Sequence, residues 1–388
     1  MKPPAQRLQN FPAHFFAGLA QQVSNLKAAG QDVIQLDVGS PDLPPPDQVI
    51  AALAQSAARP DRHGYQPHNA TPALRRAWAD MYRRLHAVEL DPDREIIPLI
   101  GSKEGIFHFS LAHLDPGDLV LVTDPGYITY SRGALAAGGE PYFLPVSAET
   151  GFLPDLSQVP ESIARKARLL WLNYPNNPTA ATASLEFFAS AVEFSRRYDL
   201  LVCHDAAYTQ ITFDGYHAPS LLEVPGSKDV AVEFNTLSKS HNMAGWRVGA
   251  LVGNPAALKA FYTIKTNADS GHFLPILEAA LQALTGDQTW IAVRNQVYQE
   301  RRDAAIHGLH SLGLKAAVPR ASLYVWSPVP QGWTAMQFAQ EALTHAGVSL
   351  TPGVAFGQNG EGFVRISLTE PVGRIRQAMQ RLADWMGP

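Results

Sequence analysis

The chain has 388 residues, 46% hydrophobic and 17% charged, with a formal net charge of -4. These values describe an ordinary globular protein of one or two domains, not a disordered chain, and give no electrostatic reason for a nucleic-acid or anionic-membrane partner. A single cysteine, Cys203, excludes an intramolecular disulfide and any multi-cysteine metal site.

The N-terminus, MKPPAQRLQNFPAHFF, lacks the apolar core of a signal peptide, and no apolar run is long enough to span a bilayer. A cytoplasmic protein is expected. FFAGLAQQVSNLKAAG predicts an amphipathic helix ending at Gly30, and VIQLDVG a short strand. The proline-rich SPDLPPPD breaks the pattern before a helix over 48–58. Thr71-Pro72 opens another helix, with threonine as cap and proline at the first position.

IIPLI, LVLVTD, PYFLPV, RLLWLN, LLVCHD, VAVEFNTLS and ALVG then follow as short apolar runs. Most are separated by helical patterns such as KEGIFHFSLAHL, LEFFASAVEFSRRYD and NPAALKAFYTIK. Buried strands alternating with helices predict an α/β fold, a mostly parallel sheet with helices on both faces. From about Gln288 a long helix, two short strands (SLYVWSP, FVRISL) and further helices predict a smaller α+β domain. The expected organisation is an N-terminal segment over 1–45 packing with the small domain, a large domain over 46–287 and a small domain over 288–388.

Ligands bind parallel sheets at the carboxyl ends of the strands. There the sequence places Gly101-Ser102-Lys103, Tyr127, Asn177, Asp205 with Tyr208, and Ser238-Lys239 with Arg247 beyond. An amine, a carboxylate, phenols, an amide, an arginine and a helix N-terminus together match pyridoxal 5'-phosphate. Its aldehyde needs the amine, its ring nitrogen a carboxylate, its ring oxygen amide and phenol donors, and its phosphate a helix N-terminus with an arginine. Each residue alone has a plainer reading. Lys239 is a solvated strand-end lysine, Asp205 a helix cap, Asn176–Pro178 a turn, and Tyr127 a loop plug. His204 beside Cys203 is read as a packing histidine, since no metal-ligand spacing surrounds it.

GSKEGI, DPGY, NYPNNPT, HDAAY, TLSKSHNMAGWRVG and FVRISL occur in the order found in fold-type I aminotransferases of class I/II. Over nearly its whole length the chain resembles that family, most closely its LL-diaminopimelate and aspartate aminotransferase-like branch. The resemblance implies a large domain bearing the cofactor and a smaller α+β domain. It implies that Lys239 holds the cofactor aldehyde and later moves the substrate proton. Asp205 pairs with the ring nitrogen, Asn177 and Tyr208 with the ring oxygen, and Tyr127 covers the ring face. Gly101, Ser102, Lys103, Ser238 and Arg247 hold the phosphate, joined by Tyr65 of a second subunit in a homodimer. Gly39, Asn177 and Arg365 bind the substrate, and no metal is called for.

Amino acids and 2-oxo acids are the implied substrates, exchanging an amino group by a ping-pong mechanism. A carbon–sulfur β-lyase would share the same cofactor contacts. A DNA-binding regulator on this scaffold would need an added domain, for which the pattern starting near Phe11 leaves no room. Four features depart from the family pattern: Ala180 where glycine is common, Ile128 where proline is frequent, His241 in a usually aromatic position, and GHFLPILEAA over 271–280. They leave the cofactor chemistry intact and weaken any inference about the amino donor.

Overall fold

The structure is a computed structural model describing Ala5, Leu8, Phe11 and residues 15–387. The part of the expected 1–45 segment that falls on the other residues before 15 lies outside the described residues. In chain order the elements are α1 (Phe15–Ala28), β1 (Ile34–Gln35), α2 (Asp47–Ala57), α3 (Pro72–His86), β2 (Ile96–Leu99), α4 (Ser102–His113), β3 (Leu119–Asp124), α5 (Thr129–Ala137) and β4 (Glu140–Pro145). Then come α6 (Glu161–Ala164), β5 (Ala167–Leu172), α7 (Leu185–Tyr198), β6 (Leu201–Asp205), β7 (Ala231–Thr236), α8 (Leu237–Ser240), β8 (Gly249–Gly253), α9 (Pro255–Ala268), α10 (Leu274–Thr285) and α11 (Trp290–Ser311). The chain closes with β9 (Tyr324–Pro328), α12 (Ala335–Glu341), β10 (Val348–Ser349), β11 (Thr351–Pro352), β12 (Phe363–Ser367) and α13 (Val372–Met386).

Seven strands form the main sheet in the order β2-β8-β7-β6-β5-β3-β4. The pairs from β7 to β4 are parallel, while β8 runs antiparallel to both β7 and β2. The central strands are apolar on both faces because both faces are covered. One face packs under α2, α3, α7 and α10 through Trp78, Tyr82, Leu170, Phe188 and Leu277. The other packs under α4, α5 and α9 through Phe109, Trp171, Phe234 and Phe261. The outermost strand, β4, alternates exposed and covered positions, as one edge of a sheet does.

A separate core gathers Ile34 and Leu36 with Tyr298, Ile306, Phe338, Val364 and Leu382. It carries the three-stranded sheet β11-β12-β9. The N-terminal stretch joins this C-terminal unit: β1 pairs parallel with β10, and Ser367 N–H donates to the Leu36 carbonyl at 2.7 Å. Among the described residues no helix is long and apolar enough to cross a membrane.

Local signals account for the ends that matter. Thr71 caps α3 by accepting from Leu74 N–H at 3.3 Å, with Pro72 at the first position. β7 stops at Thr236 because its hydroxyl accepts from Ser238 N–H at 3.1 Å, turning the chain into the one-turn helix α8. The sequence pattern runs that strand to Ser238; the structure puts Lys239 inside the turn instead. Ala180 has φ +58°, so the residue standing where the family favours glycine does adopt a left-handed backbone.

Candidate active site

Topology brings the functional side chains together. The parallel strands β3, β5, β6 and β7 end on one edge of the sheet. The two antiparallel pairings make β2 run the same way, so the N-terminus of α4 opens on that edge too. β8 runs oppositely, and therefore Arg247, two residues before its start, belongs to this edge. A cavity of about 490 Å³ lies there, closed on the far side by Gly39, Tyr324, Phe356 and Arg365.

Of the residues expected from sequence, Gly39, Ser102, Lys103, Tyr127, Asn177, Asp205, Tyr208, Ser238, Lys239, Arg247 and Arg365 line this cavity. Gly101 stands just behind the wall. It caps α4 with φ +77°, and a Cβ there would run into the Arg247 guanidinium, so glycine is required twice over. Tyr65 does not reach the cavity of its own chain; it is 92% exposed.

Asp205 is buried at the end of β6. Its Oδ2 accepts from Tyr130 O–H at 2.8 Å, while Oδ1 has no hydrogen-bond partner among the described residues. Burial raises its pKa to about 6, against the hydrogen bond from Tyr130. Lys239 Nζ donates to the Gly39 carbonyl. Burial holds its pKa below the usual lysine value, and the nearby Arg365 and Arg247 act in the same direction while Tyr324 opposes. Lys103 is lowered as well, by burial and then by Arg132 and Arg247.

Arg365 is held on three sides. Nη1 donates to Asn177 Oδ1 at 2.9 Å and Nη2 to the Asp37 carbonyl at 2.7 Å. Its guanidinium lies 4.3 Å from the Tyr324 ring centre and 4.8 Å from that of Phe356. Its buried Nε has no partner among the described residues. Because Asn177 Oδ1 accepts from Arg365, the amide nitrogen is the atom that offers protons to the cavity. Tyr208 O–H meets Tyr324 O–H at 3.0 Å, and burial pushes its pKa well up, so it stays a neutral phenol. Arg247 Nη1 reaches Ser238 Oγ at 3.4 Å and the Ala244 carbonyl at 2.8 Å.

Other residues in and around the site were not among the expected site residues. Asn173 donates to the Asp205 carbonyl at 2.7 Å and accepts Asn177 N–H at 2.8 Å, fixing one site loop against another. Tyr130 comes from α5, a helix absent from the sequence reading, and lies parallel to Trp171 at 5.0 Å. Phe16, from α1, lines the cavity within 5.7 Å of Phe356. His204 is fully buried, with Nδ1 2.8 Å from Glu233 Oε2 and Nε2 2.9 Å from the Tyr174 carbonyl. His241 is buried too, its pKa depressed to about 3 by burial and by Arg294.

The donor set fits pyridoxal 5'-phosphate. A buried carboxylate oxygen without a partner among the described residues, a buried amine whose pKa is held below the usual lysine value, and the amide and phenol of Asn177 and Tyr208 line one cavity. The start of α4, with Ser102, Ser238 and Arg247, offers an anion site. At the other end, the unpaired Nε of Arg365 suits a carboxylate.

The family model "Aminotransferase class I and II" matches residues 31–382. The chain is 49% identical over 383 residues to the LL-diaminopimelate aminotransferase of Moorella thermoacetica, covering 99% of this chain and 98% of the relative. Among solved structures, substrate-bound BacF from Bacillus subtilis superposes with a TM-score of 0.95 at 34% identity, covering 98% and 97% of the two chains. A double mutant of Thermus thermophilus aspartate aminotransferase superposes with a TM-score of 0.93 at 28% identity, covering 99% and 100%.

Proposed function

Since the chain belongs to the class I and II aminotransferases and shares their cofactor, pyridoxal 5'-phosphate, we propose that it moves an amino group from LL-diaminopimelate to a 2-oxo acid, with the roles of the cavity residues as follows. When bound, the cofactor supplies an aldehyde for amine exchange and a ring that accepts electrons from the substrate Cα. Asp205 Oδ1 would hold the ring nitrogen, and Asn177 and Tyr208 the ring oxygen. Tyr127 would cover the ring, while Ser102, Lys103, Ser238, Arg247 and the backbone from Gly101 take the phosphate. A homodimer would bring Tyr65 of a second copy to that phosphate; its exposure in the single chain supports this.

The remaining work falls to two side chains of the cavity. Arg365 grips the substrate α-carboxylate through its planar fork, and Gly39 leaves room beside it, because a Cβ there would press on the Tyr324 hydroxyl. That grip fixes which way the Cα–H points. Lys239 Nζ takes this proton and returns it on the other side of the exchange, a task that needs the neutral amine its burial favours. Amino donor and acceptor use one cavity in turn, so ping-pong kinetics are expected.

The observation carrying the reading is the buried pair of orphaned atoms, Asp205 Oδ1 and Arg365 Nε, in walls of the cavity that also holds Lys239. The choice of donor rests on the 49% identity to the Moorella enzyme. Half-reactions followed by cofactor absorbance, with LL-diaminopimelate, L-aspartate and L-alanine supplied singly, test it. LL-diaminopimelate should convert the cofactor fastest. Conversion by another donor but none by LL-diaminopimelate would reject the assignment.

A further inference from the structure

The phosphate end of the cavity is assembled from two segments distant in sequence, the start of α4 and the turn at Arg247. Each is fastened from behind by groups that do not line the cavity. Glu104, in the first turn of α4, accepts the Ile100 N–H at 3.1 Å and so pins the strand end leading into Gly101. Arg247 has φ +59°, a left-handed conformation unfavourable to a side-chain-bearing residue, which surrounding contacts must sustain. One such contact is the His272 ring, whose Nε2–H donates to the Arg247 carbonyl at 2.7 Å.

Lys265 connects the two fastenings. Its ammonium lies 2.7 Å from Asp269 Oδ2 and 4.0 Å from Glu104 Oε1, and the residue is 1% exposed. Asp269 in turn accepts the Gly271 N–H at 3.0 Å, which sets the turn that presents His272. His108 adds a contact to Glu104. Glu104, His108 and Asp269 bring one ligand atom each within 4.8 Å of one another, but the Lys265 ammonium already supplies the positive charge, so the group is built around an amine rather than a metal ion.

We infer that Lys265, with Glu104, Asp269 and His272, is a positioning unit that keeps the Arg247 turn in register with the start of α4, and thereby sets how tightly the cavity holds a phosphate monoester. None of the four lines the cavity. This rests on reading the cavity as the pyridoxal-phosphate site. It also gives a role to the 271–280 segment, whose departure from the family pattern includes His272.

The test compares phosphorylated and unphosphorylated cofactor. Dissociation constants for pyridoxal 5'-phosphate and for pyridoxal are measured by absorbance titration of the apoprotein, for wild type, Lys265→Met, His272→Leu and His272→Gln. Lys265→Met and His272→Leu should weaken pyridoxal 5'-phosphate by about tenfold, the scale on which outer partners of a bound group act. Pyridoxal binding should stay at the wild-type value, and His272→Gln, which keeps an N–H donor, should recover the lost affinity. A merely structural role would weaken both compounds alike. If the ratio of the two constants is unchanged in both Lys265→Met and His272→Leu, the inference is wrong. Should Lys265→Met not fold, as judged by circular dichroism, the two His272 variants decide alone. A wild type that binds the two compounds equally would instead overturn the reading of the cavity.

Discussion

Replacing Asp205 by asparagine should stabilise the protein without its cofactor, and do so in a pH-dependent way. The carboxyl is buried, with Tyr130 holding one of its oxygens, and its pKa stands at about 6 against an ordinary 3.8. Between those values the folded protein binds more protons than the unfolded chain. Stability therefore falls as pH rises through that window and levels off above the folded pKa. At about 1.4 kcal/mol for each tenfold change in proton affinity, the loss amounts to about 3 kcal/mol. An amide in place of the carboxyl does not titrate, so Asp205→Asn escapes the loss. Urea unfolding of both apoproteins at a series of pH values measures it. The stability of the variant minus that of wild type should grow by about 2 kcal/mol from about pH 4 to pH 7, most of that total. Added pyridoxal 5'-phosphate should favour wild type, whose Asp205 then gains a cationic partner. A difference that is flat with pH, or that shrinks as pH rises, would refute the argument.

Tyr130→Phe removes a hydroxyl proton that eases the burial of Asp205, so the upper edge of the pH window just described should rise in the same urea series while its lower edge stays. Lys239→Ala should slow transamination by at least about 10²–10⁴-fold, the share a positioned acid–base group supplies; near-normal single-turnover rates would remove Lys239 from its role. Arg365→Lys replaces a planar fork by a point charge. Losing one charge-assisted hydrogen bond of about 1.5–3 kcal/mol should raise KM by about 10–100-fold in steady-state assays. Ala180→Gly relieves about 1–2 kcal/mol of left-handed strain, but gives up a buried methyl worth about 0.8 and adds about 0.4–1 of unfolded-state freedom. These offset one another to within about 1 kcal/mol, so the urea midpoint should barely move.

The sheet and its flanking helices were legible because period and composition change sharply along the chain. The inner strands are mainly apolar runs, and polar residues follow close on the ends of β5, β6 and β7, the edge at which parallel sheets bind ligands. That logic reached Asp205, Asn177 and Lys239 directly. It did not reach Tyr130, since α5 is short and carries Gly133 in its middle, nor the part Asn173 plays, although that residue opens NYPNNPT. Tyr324 and Phe356 lie far along the chain and meet Arg365 only through the folding of the C-terminal unit. Pattern could not show the pairing of β1 with β10 either, because two-residue strands leave almost no periodic trace. Tyr65 was picked out by resemblance, and a single chain gives it nothing to touch in the cavity.

The bond from Arg365 to the Asp37 carbonyl joins positions 328 residues apart. A ribosome must therefore translate nearly all of the message before the Arg365 wall of the cavity exists, whereas every strand of the main sheet has been made by Gly253. During synthesis the unit carrying Asp205 and Lys239 can take shape first, and the unit carrying Arg365 is the last to be completed.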